Sequence, residues 1–297
     1  MRRFVLAADL GGTKLAVAGV DASCKITAQT KCPNPPGGGL AVVESIADAL
    51  GRLPAKDAAG IGIAVPGLAY PDGSVWAPNI PGWERMPLGE MLRSRFGLPV
   101  LVESDRNAFV TGEAWQGSAK GCCDVVFVAI GTGIGAGIIS GGRLVRGFGE
   151  LAGCLGWMAV RDRFLPAYEA VGCLESHVAG PGIARDAQRV FHRPIEAREV
   201  VQRARQGDVQ AREVLVRAGH LLGLGLANLV DILNPQMIVI GGGVAGAGNL
   251  LLEPARETLK QWAQPLAAKQ VRICRSRLGA RAGLLGAAKL CFDQLHT

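Results

Sequence analysis

The sequence is poor in aromatic residues and lacks the short motifs of several common enzyme classes. Phe, Trp and Tyr make up 5% of the 297 residues while hydrophobic residues make up 49%, so any core is built mainly from Ala, Val, Leu and Ile. No Gly-x-x-x-x-Gly-Lys-Ser/Thr segment is present, which excludes a P-loop nucleotide site. The eight cysteines form no Cys-x-x-Cys pair, and their scatter is typical of reduced thiols in a cytoplasmic protein.

Runs of like charge and uninterrupted apolar spans are also absent. The net charge is +7, but Arg is dispersed, which indicates mild attraction for anionic ligands and no nucleic-acid surface. Glycines interrupt the apolar stretch 125–140, and Asp231 lies within the stretch 221–240, so no membrane span is expected. Asp9 ends the N-terminal apolar run too early for a signal peptide. We therefore expect a cytoplasmic protein with small-molecule ligands.

Glycine is abundant, and its 42 residues cluster at the ends of apolar runs, which is typical of an α/β protein with tight turns. In the first such place, an apolar run ends at Asp9, Gly11-Gly12-Thr13 follows, and a second apolar run continues to Val20. This pattern predicts a β-hairpin whose glycines take positive φ and let the backbone approach a ligand. One carboxylate and one hydroxyl in the turn suit a phosphate and a divalent metal, although an ordinary hairpin fits the same residues.

The same pattern returns at 124–146, where two apolar runs flank Gly131-Thr132-Gly133-Ile134-Gly135. This recurrence predicts an internal duplication. A third glycine loop, Gly241-Gly242-Gly243, follows another apolar run and precedes a predicted helix. The simplest account is a nucleotide held among these glycine turns.

Two of these loops also match the dinucleotide-binding fingerprint. Gly131-x-Gly133-x-x-Ala136 is followed by a β-type run, so it lacks the helix that the motif requires. Gly241-x-Gly243-x-x-Gly246 has a strand before it and a helix after it, so an NAD-dependent enzyme remains an alternative. Against this alternative, only one further strand is predicted after the loop.

Taken together, the glycine motifs resemble the ROK (repressor, ORF, kinase) family of bacterial sugar kinases. The resemblance extends along almost the whole chain. It is carried by Asp9-x-Gly-Gly-Thr13, Val65-Pro-Gly67, Ala77-Pro-Asn-Ile-Pro-Gly-Trp83, Asp105-x-Asn107, Gly131-Thr-Gly-Ile-Gly135, Gly172-Cys-Leu-Glu175, Ile240-Gly-Gly-Gly-Val244 and Gly283-Leu-Leu-Gly-Ala-Ala288. It implies an α/β, duplicated ribonuclease H-like fold of the actin and hexokinase type, with two domains and a central cleft. The expected bounds are 1–115 plus 283–297 for a small N-terminal domain and 116–282 for a large C-terminal domain.

The resemblance implies a glucokinase-like enzyme that transfers the γ-phosphoryl group of ATP to a hydroxyl of a hexose or hexose derivative. Asp105 is then the general base, and Asp9 holds Mg²⁺ through water. Taken alone, Asp105 is better explained as an acid at a helix N-terminus. The expected ATP-binding residues are Asp9, Gly11, Gly12, Thr13, Thr132, Gly133, Gly242 and Gly243, the last two on the adenosine side.

On the sugar side the chain departs from the family. The family's Gly-Glu-x-Gly-His run reads Gly153-Cys154-Leu155-Gly156-Trp157, and Ser104 replaces the usual Asn. The expected sugar-binding positions are Gly67, Asn79, Ser104, Asp105, Cys154, Trp157 and Glu175. Glu150 is an alternative source of the missing carboxylate, although we favour a surface acid. An apolar Trp157 suits a bulkier or less polar acceptor, such as an N-acetylated or deoxy sugar.

The structural zinc site of most family members is expected to be absent. Of its three cysteines and one histidine only Cys173 remains, and one thiol cannot make a four-coordinate site. Trp157, in the histidine's place, is predicted to pack against Tyr168 instead.

The resemblance also implies a homodimer. A sugar- or nucleotide-binding regulatory protein with weak or no kinase activity remains an alternative, supported by the altered sugar pocket. A DNA-binding repressor is disfavoured, because no helix-turn-helix is expected before the first strand.

Overall fold

The computed structural model describes residues 4–54 and 57–296. Contacts group the chain into two compact units. The first contains Met1–Gly121, Leu144–Ala152 and Arg277–Thr297, and the second contains Cys122–Arg143 and Gly153–Ser276. Compared with the bounds expected from the sequence, the first unit gains 116–121, 144–152 and 277–282, all of which sequence reasoning assigned to the larger domain.

Each unit is built on one five-stranded sheet. The strands of the first unit are β1 Phe4–Leu10, β2 Lys14–Asp21, β3 Ile26–Pro33, β4 Ala58–Val65, β5 Leu68–Ala69, β6 Val75–Trp76 and β7 Val100–Ser104, of which β5 and β6 form a separate two-stranded ribbon. The strands of the second sheet are β8 Val125–Ile130, β9 Ile134–Ser140, β10 Arg143–Leu144, β11 Met237–Gly241 and β12 Arg272–Arg275.

The two sheets have corresponding topologies, which agrees with the predicted duplication. The strand orders are β3-β2-β1-β4-β7 and β10-β9-β8-β11-β12. In each sheet the first two strands form an antiparallel hairpin. On one side of this hairpin two strands join in parallel, β4 and β7 in the first sheet and β11 and β12 in the second. Parallel strands require crossover connections, and helices supply these in both units.

The helices account for most of the remaining chain. They are α1 Gly39–Gly51, α2 Leu88–Phe96, α3 Asp105–Gln116, α4 Tyr168–Val171, α5 Cys173–Val178, α6 Gly180–Phe191, α7 Ala197–Arg205, α8 Val209–Leu233, α9 Asn249–Trp262, α10 Pro265–Gln270 and α11 Ala282–Leu295. In the first unit, alternate residues of β1 face opposite sides of the sheet. Leu6 and Leu10 join the cluster that contains α1, whereas Val5 and Ala7 join the cluster that contains α11. The sheet is therefore covered on both faces, as expected for parallel strands.

Glycines allow α3 and α11 to cross closely. A Cβ atom on Gly112 would collide with the carbonyl of Ala282, and one on Gly286 would collide with the carbonyl of Ala108. Because neither helix can move away without losing this contact, the crossing fixes the start of each helix relative to the sheet.

In the second unit, α8 is the central helix. It is long and apolar enough to cross a membrane, but 61% of its most apolar window is buried inside the protein. Gly219 and Gly223 let α9 approach, because a Cβ atom at either position would lie within 2.6 Å of a backbone carbonyl of α9. The apolar length of α8 is thus explained by packing in the core.

Candidate active site

In the first unit, the candidate catalytic carboxylates lie at the carboxyl ends of two parallel strands, β1 and β7, which are separated by β4. Asp9 pairs in register with Ala64 of β4, which pairs with Glu103 of β7. Ser104 ends β7, and Asp105 begins α3. The carboxyl edge of a parallel sheet is where open α/β folds bind ligands. The structure therefore brings Asp9 and Asp105, distant in sequence, to one edge.

Both carboxyl groups have raised pKa values. Burial, and secondly the charge of Asp105, raises the pKa of Asp9 to about 7. Burial also raises the pKa of Asp105 to about 6, although the Arg106 backbone N–H, 2.7 Å from its Oδ1, and the Arg106 charge act in the opposite direction. Such a pair can accept a proton or attract a cation near neutral pH, and perturbed carboxylates of this kind cluster at functional sites.

The position of Asp9 depends on a glycine near the other end of the chain. A Cβ atom on Gly283, in the first turn of α11, would collide with both carboxylate oxygens of Asp9. Backbone N–H groups in the first turn of a helix have no partners within the helix, so this is a favourable place for a carboxylate. Sequence reasoning noted the Gly283–Ala288 motif but found no reason for its first glycine.

The first glycine turn is held by Asn34. Its amide Nδ2 donates to the carbonyl of Gly11 at 2.7 Å, and its backbone N–H donates to the carbonyl of Thr13 at 3.1 Å. The prediction of positive φ was wrong: neither Gly11 nor Gly12 lies in the left-handed region. Gly12 instead leaves space, because a Cβ atom there would meet nothing within 4 Å. Sequence reasoning missed Asn34 because it lies in a Pro/Gly-rich loop.

The second glycine turn is held by a carboxylate of its own unit. Glu175 Oε2 accepts a hydrogen bond from the backbone N–H of Ile134 at 2.6 Å, and a Cβ atom on Gly133 would lie 2.9 Å from the same oxygen. The N–H of Gly180 donates to the carbonyl of Gly131 at 2.8 Å. Burial raises the pKa of Glu175, and the Ile134 hydrogen bond partly offsets this effect. Thr132, at the tip of the turn, is exposed.

The third glycine loop lies beside the second turn at the same sheet edge. Gly242 has φ +86°, and a Cβ atom there would collide with the carbonyl of Ile130, at the end of β8. Nothing lies within 4 Å of a Cβ atom on Gly243, so the loop leaves space for a ligand. A 3₁₀ turn follows, and α9 begins only at Asn249, after the last glycine of the fingerprint. The dinucleotide motif needs that helix to start within the loop, so this geometry does not support the NAD alternative.

The sugar-side residues of the first unit differ in how their positions are fixed. Gly67 has φ +106°, and a Cβ atom there would collide with the carbonyl of Trp76. Asn79 is exposed on a loop anchored by buried Trp83, whose Nε1 donates to the carbonyl of Gly39 at 3.0 Å. Ser104 is buried, and its hydroxyl has no hydrogen-bond partner among the described residues. An unpartnered buried hydroxyl beside Asp105 is a candidate ligand contact.

The segment that replaces the family's Glu and His lies in the second unit. Cys154 is half-buried, and Trp157 is 56% exposed. The predicted packing of Trp157 against Tyr168 was wrong. Tyr168 is buried, packs edge-to-face against Phe164, and pairs with His177, whose Nε2 lies 2.8 Å from the tyrosine hydroxyl. A buried hydroxyl needs such a partner, and an indole ring offers no acceptor.

Glu150 is not a surface acid, which corrects that interpretation. Its side chain is 16% exposed and lies 3.8 Å from Arg146, which also contacts Glu103 at 2.7 Å. Its backbone has φ +64°, and Arg106 donates to its carbonyl at 2.8 Å. Burial, and secondly the charge of Glu103, raises its pKa. The segment 144–152 is thereby tied to the start of α3 within the first unit.

Metal ligands are sparse in the parts of the chain described, where no three His, Cys, Asp or Glu side chains are grouped closely enough to hold an ion. The absence of zinc stays a prediction. Asp9 fits a Mg²⁺ ion bound through water, since it supplies one hard oxygen ligand whose charge is complete above its raised pKa.

Two corresponding α/β units, each with a glycine hairpin turn at the carboxyl edge of its sheet, are the architecture of the two-domain actin and hexokinase class. The ROK family profile matches residues 5–294, and the chain belongs to the ROK family.

Relatives and solved structures support this assignment over the whole chain. The glucokinase of Halalkalibacterium halodurans is 33% identical, covering 98% of this chain and 96% of its own length. The N-acetyl-D-glucosamine kinase of Escherichia coli O6:H1 is 32% identical, and the match covers 95% of this chain and 97% of the relative's length. The ROK hexokinase of Thermus thermophilus superposes with a TM-score of 0.83 at 35% identity, covering 98% and 99%. The Streptomyces griseus ROK glucokinase was solved with glucose and AMPPNP. It superposes with a TM-score of 0.82 at 32% identity, over 97% of this chain and 98% of its own. These matches confirm the family, the fold class and the sugar-kinase class that the sequence predicted.

Proposed function

We propose that the chain is an ATP-dependent, glucokinase-like kinase that transfers the γ-phosphoryl group to a hydroxyl of a hexose or hexose derivative. The observation that carries this assignment is the pair Asp9 and Asp105. Two carboxyl groups with raised pKa values share the carboxyl edge of one sheet, next to an open glycine turn. Phosphoryl transfer requires a base for the acceptor hydroxyl and a metal ion to neutralise the phosphate charge. Asp105 would be the base, and Asp9 would hold the metal ion.

Asp105 is the general base. It takes the proton of the sugar hydroxyl as the oxygen attacks the γ-phosphorus, and the bond from this phosphorus to the β–γ bridging oxygen breaks, so that ADP leaves. With a pKa of about 6 it is mostly ionised at pH 7.5, yet it is more basic than an ordinary aspartate. The Arg106 N–H holds Oδ1, which orients the carboxylate and leaves Oδ2 for the substrate. The unpartnered hydroxyl of Ser104 is available to a neighbouring sugar oxygen.

The phosphates are assigned to the backbone of Gly11, Gly12 and Thr13 and of Thr132 and Gly133, and the adenosine to Gly242 and Gly243. Where these turns leave space at a would-be Cβ, a ligand oxygen can reach backbone N–H groups. Mg²⁺, when bound, neutralises charge on the phosphate oxygens. Asp9 would hold that ion through water, and the position of its carboxylate is constrained by the close contact with Gly283.

The acceptor site includes Gly67, Asn79, Ser104, Asp105, Cys154, Trp157 and Glu175. Two curated relatives are named for glucose and for N-acetyl-D-glucosamine, so these are the first sugars to compare. The exposed indole of Trp157 offers a flat apolar surface, which favours an acceptor with an apolar substituent such as an acetamido methyl group. Glucose lacks that group and would gain less from the contact.

The test is an ADP-release assay over a panel of hexoses, deoxyhexoses and N-acetylhexosamines, with wild type, Asp105→Ala and the control Asp162→Ala. Asp162 is exposed and lies outside the proposed site. Sugar-dependent ADP release that Asp105→Ala reduces by about 10²-fold or more, and Asp162→Ala leaves unchanged, supports the proposal. Equal activity of Asp105→Ala and wild type on the best sugar would refute the assigned base.

A sugar- or nucleotide-binding regulatory protein is the second candidate, favoured by Cys154 and Trp157 in place of the family's Glu and His. It predicts that calorimetry detects ATP or sugar binding while no sugar gives turnover. We also propose a cytoplasmic homodimer that binds neither nucleic acid nor membranes. Light scattering measures the oligomeric state.

A further inference from the structure

A cavity of about 260 Å³ lies in the second unit among α5, α6 and α8. Its lining includes none of the residues assigned above to ATP, sugar or Mg²⁺. Ala218 and Leu221 of α8 form an apolar part of its wall, and the Tyr168–His177 pair lies on another side. The cavity therefore has an apolar floor with polar groups around it, as small-molecule sites commonly do.

The charged groups that line the cavity are strongly unbalanced. Four are guanidinium groups, whereas among the described residues one carboxylate lines it. The arginines are Arg161, Arg185, Arg189 and Arg217. They come from three separate places in the chain: the loop before α4, the helix α6, and the helix α8. All four arginines are exposed, so water screens their repulsion, and a bound anion would reduce it further.

Only part of this positive charge is paired with other groups of the protein. Arg217 forms an ion pair with Asp186 at 3.0 Å, which occupies the one carboxylate. Arg185 donates to the backbone carbonyl of Ser176. Arg161 and Arg189 have no acidic partner within the regions that the structure describes. Arg185 and Arg189 also lie one turn apart on α6, an arrangement that is destabilising for like charges.

His177 reports the same excess of positive charge. Burial is the first cause that lowers the pKa of this imidazole, and the charges of Arg161 and Arg185 are the next two. The neutral imidazole and the tyrosine hydroxyl can each exchange hydrogen bonds with a ligand oxygen. The cavity thus presents both charged and neutral hydrogen-bonding groups.

We propose that this cavity binds a compact polyanion, either inorganic phosphate or the phosphate group of a small phosphorylated metabolite. Arginine matches this chemistry, because its planar guanidinium can give two parallel hydrogen bonds to phosphate oxygens. Arg161 and Arg189 supply positive charge that no acidic side chain among the described residues neutralises. Both charges act on His177, which lines the same cavity. The site is independent of the kinase assignment, since none of its residues takes part in it.

The chain has four histidines, so histidine side-chain NMR provides a local readout. The protein is titrated with inorganic phosphate to about 10 mM at constant ionic strength, and His177→Gln assigns the signal. We expect the His177 resonance to shift saturably while those of His192, His220 and His296 stay in place. In the double variant Arg161→Gln/Arg189→Gln, the Kd rises at least about tenfold, because charge-assisted hydrogen bonds are lost.

Arg198→Gln is the matched control. Arg198 is an exposed arginine of α7 outside the cavity, and its substitution leaves the Kd unchanged. Repeating the titration with a phosphate monoester such as glucose 6-phosphate separates the two sources of phosphate. Tighter binding of the monoester indicates a metabolite, and equal or weaker binding indicates free phosphate. An unshifted His177 signal, or the same Kd in the folded double variant, overturns the proposal.

Discussion

The carboxylate of Asp9 occupies the place where a side chain of residue 283 would begin, because a Cβ atom on Gly283 would overlap both of its oxygens. The end of the first strand thereby meets the first turn of the last helix. This contact holds a partly buried acid next to Asp105, whose charge further raises its pKa. A residue far from the glycine turns in sequence therefore sets the geometry of the proposed phosphate site.

Gly283→Ala is expected to displace Asp9. Inserting a methyl group into this contact costs about 1–3 kcal/mol, so we expect kcat/KM to fall by about 10–100-fold and the requirement for Mg²⁺ to increase. Kinetics at varied Mg²⁺ measure both effects. Gly51→Ala is the control, since a Cβ atom at Gly51 meets nothing within 4 Å. Equal kinetics of the two variants would show that Asp9 does not depend on Gly283.

Activity should depend on the ionisation of both carboxylates. The pKa values of about 6 for Asp105 and about 7 for Asp9 predict that kcat/KM falls as pH decreases below about 7, with a slope of up to two below pH 6. A profile from pH 5 to pH 8 at saturating Mg²⁺ measures this. A rate independent of pH between about 5.5 and 7.5 would contradict the assigned roles.

Asp9 should reduce stability at alkaline pH. Its pKa is raised from 3.8 to about 7 on folding, so the favourable contribution of the protonated form is present below about 3.8 and is lost as pH rises through about 7. Without Mg²⁺, Asp9→Asn should therefore be more stable than wild type at pH 8 by about 1–3 kcal/mol, a range reduced for partial exposure. Urea unfolding at pH 8 and pH 4 tests this, because the difference should nearly vanish at pH 4.

Arg146 should be important for stability because its partner is buried. Glu103 is 3% exposed and accepts hydrogen bonds from Ser104 N, Asn107 Nδ2 and Arg146 Nη2 at 2.9, 2.9 and 2.7 Å. Arg146→Ala leaves this carboxylate without its cation, and we expect a loss of about 2–4 kcal/mol in the free energy of unfolding. The exposed pair Arg85–Asp72 is the comparison, where Arg85→Ala should cost about 1 kcal/mol or less. A partial recovery in Glu103→Gln/Arg146→Ala would identify the unpaired charge as the cause.

The preference of the enzyme among acceptor sugars should depend on the side chains at positions 154 and 157. Restoring the family's residues with Cys154→Glu/Trp157→His adds a carboxylate and an imidazole for sugar hydroxyls. We expect kcat/KM for glucose to rise by about tenfold or more relative to N-acetyl-D-glucosamine. Parallel kinetics on both sugars measure the ratio, and an unchanged ratio would place the determinant of specificity elsewhere.

Much of the fold could be read from local pattern. The strand–turn–strand units around Gly11 and Gly131 are short-range features, because adjacent apolar runs and a glycine turn specify a hairpin without help from the rest of the chain. Their recurrence correctly predicted the duplication. The sequence pattern did not show whether the glycines of these turns are needed for space or for a positive φ, because glycine satisfies both requirements. The structure shows that space is the reason, since their φ values are not positive.

The burial and the partners of individual polar side chains could not be predicted, even where the partner is close in sequence. Tyr168 pairs with His177, and Glu150 is held beside Arg146 and not at the surface. Neither sequence spacing nor residue type distinguishes these partners from other polar neighbours, because burial is decided by how the segments pack.

The sequence by itself determined the ROK family, the duplicated α/β fold and the glycine turns, since these depend on residue type and local order. Only the tertiary structure decided which groups meet: Asp9 with Gly283, Glu175 with Ile134, and four arginines around one cavity. The physical reason is that raised pKa values and converging charge arise from burial and proximity, which are properties of the packed chain.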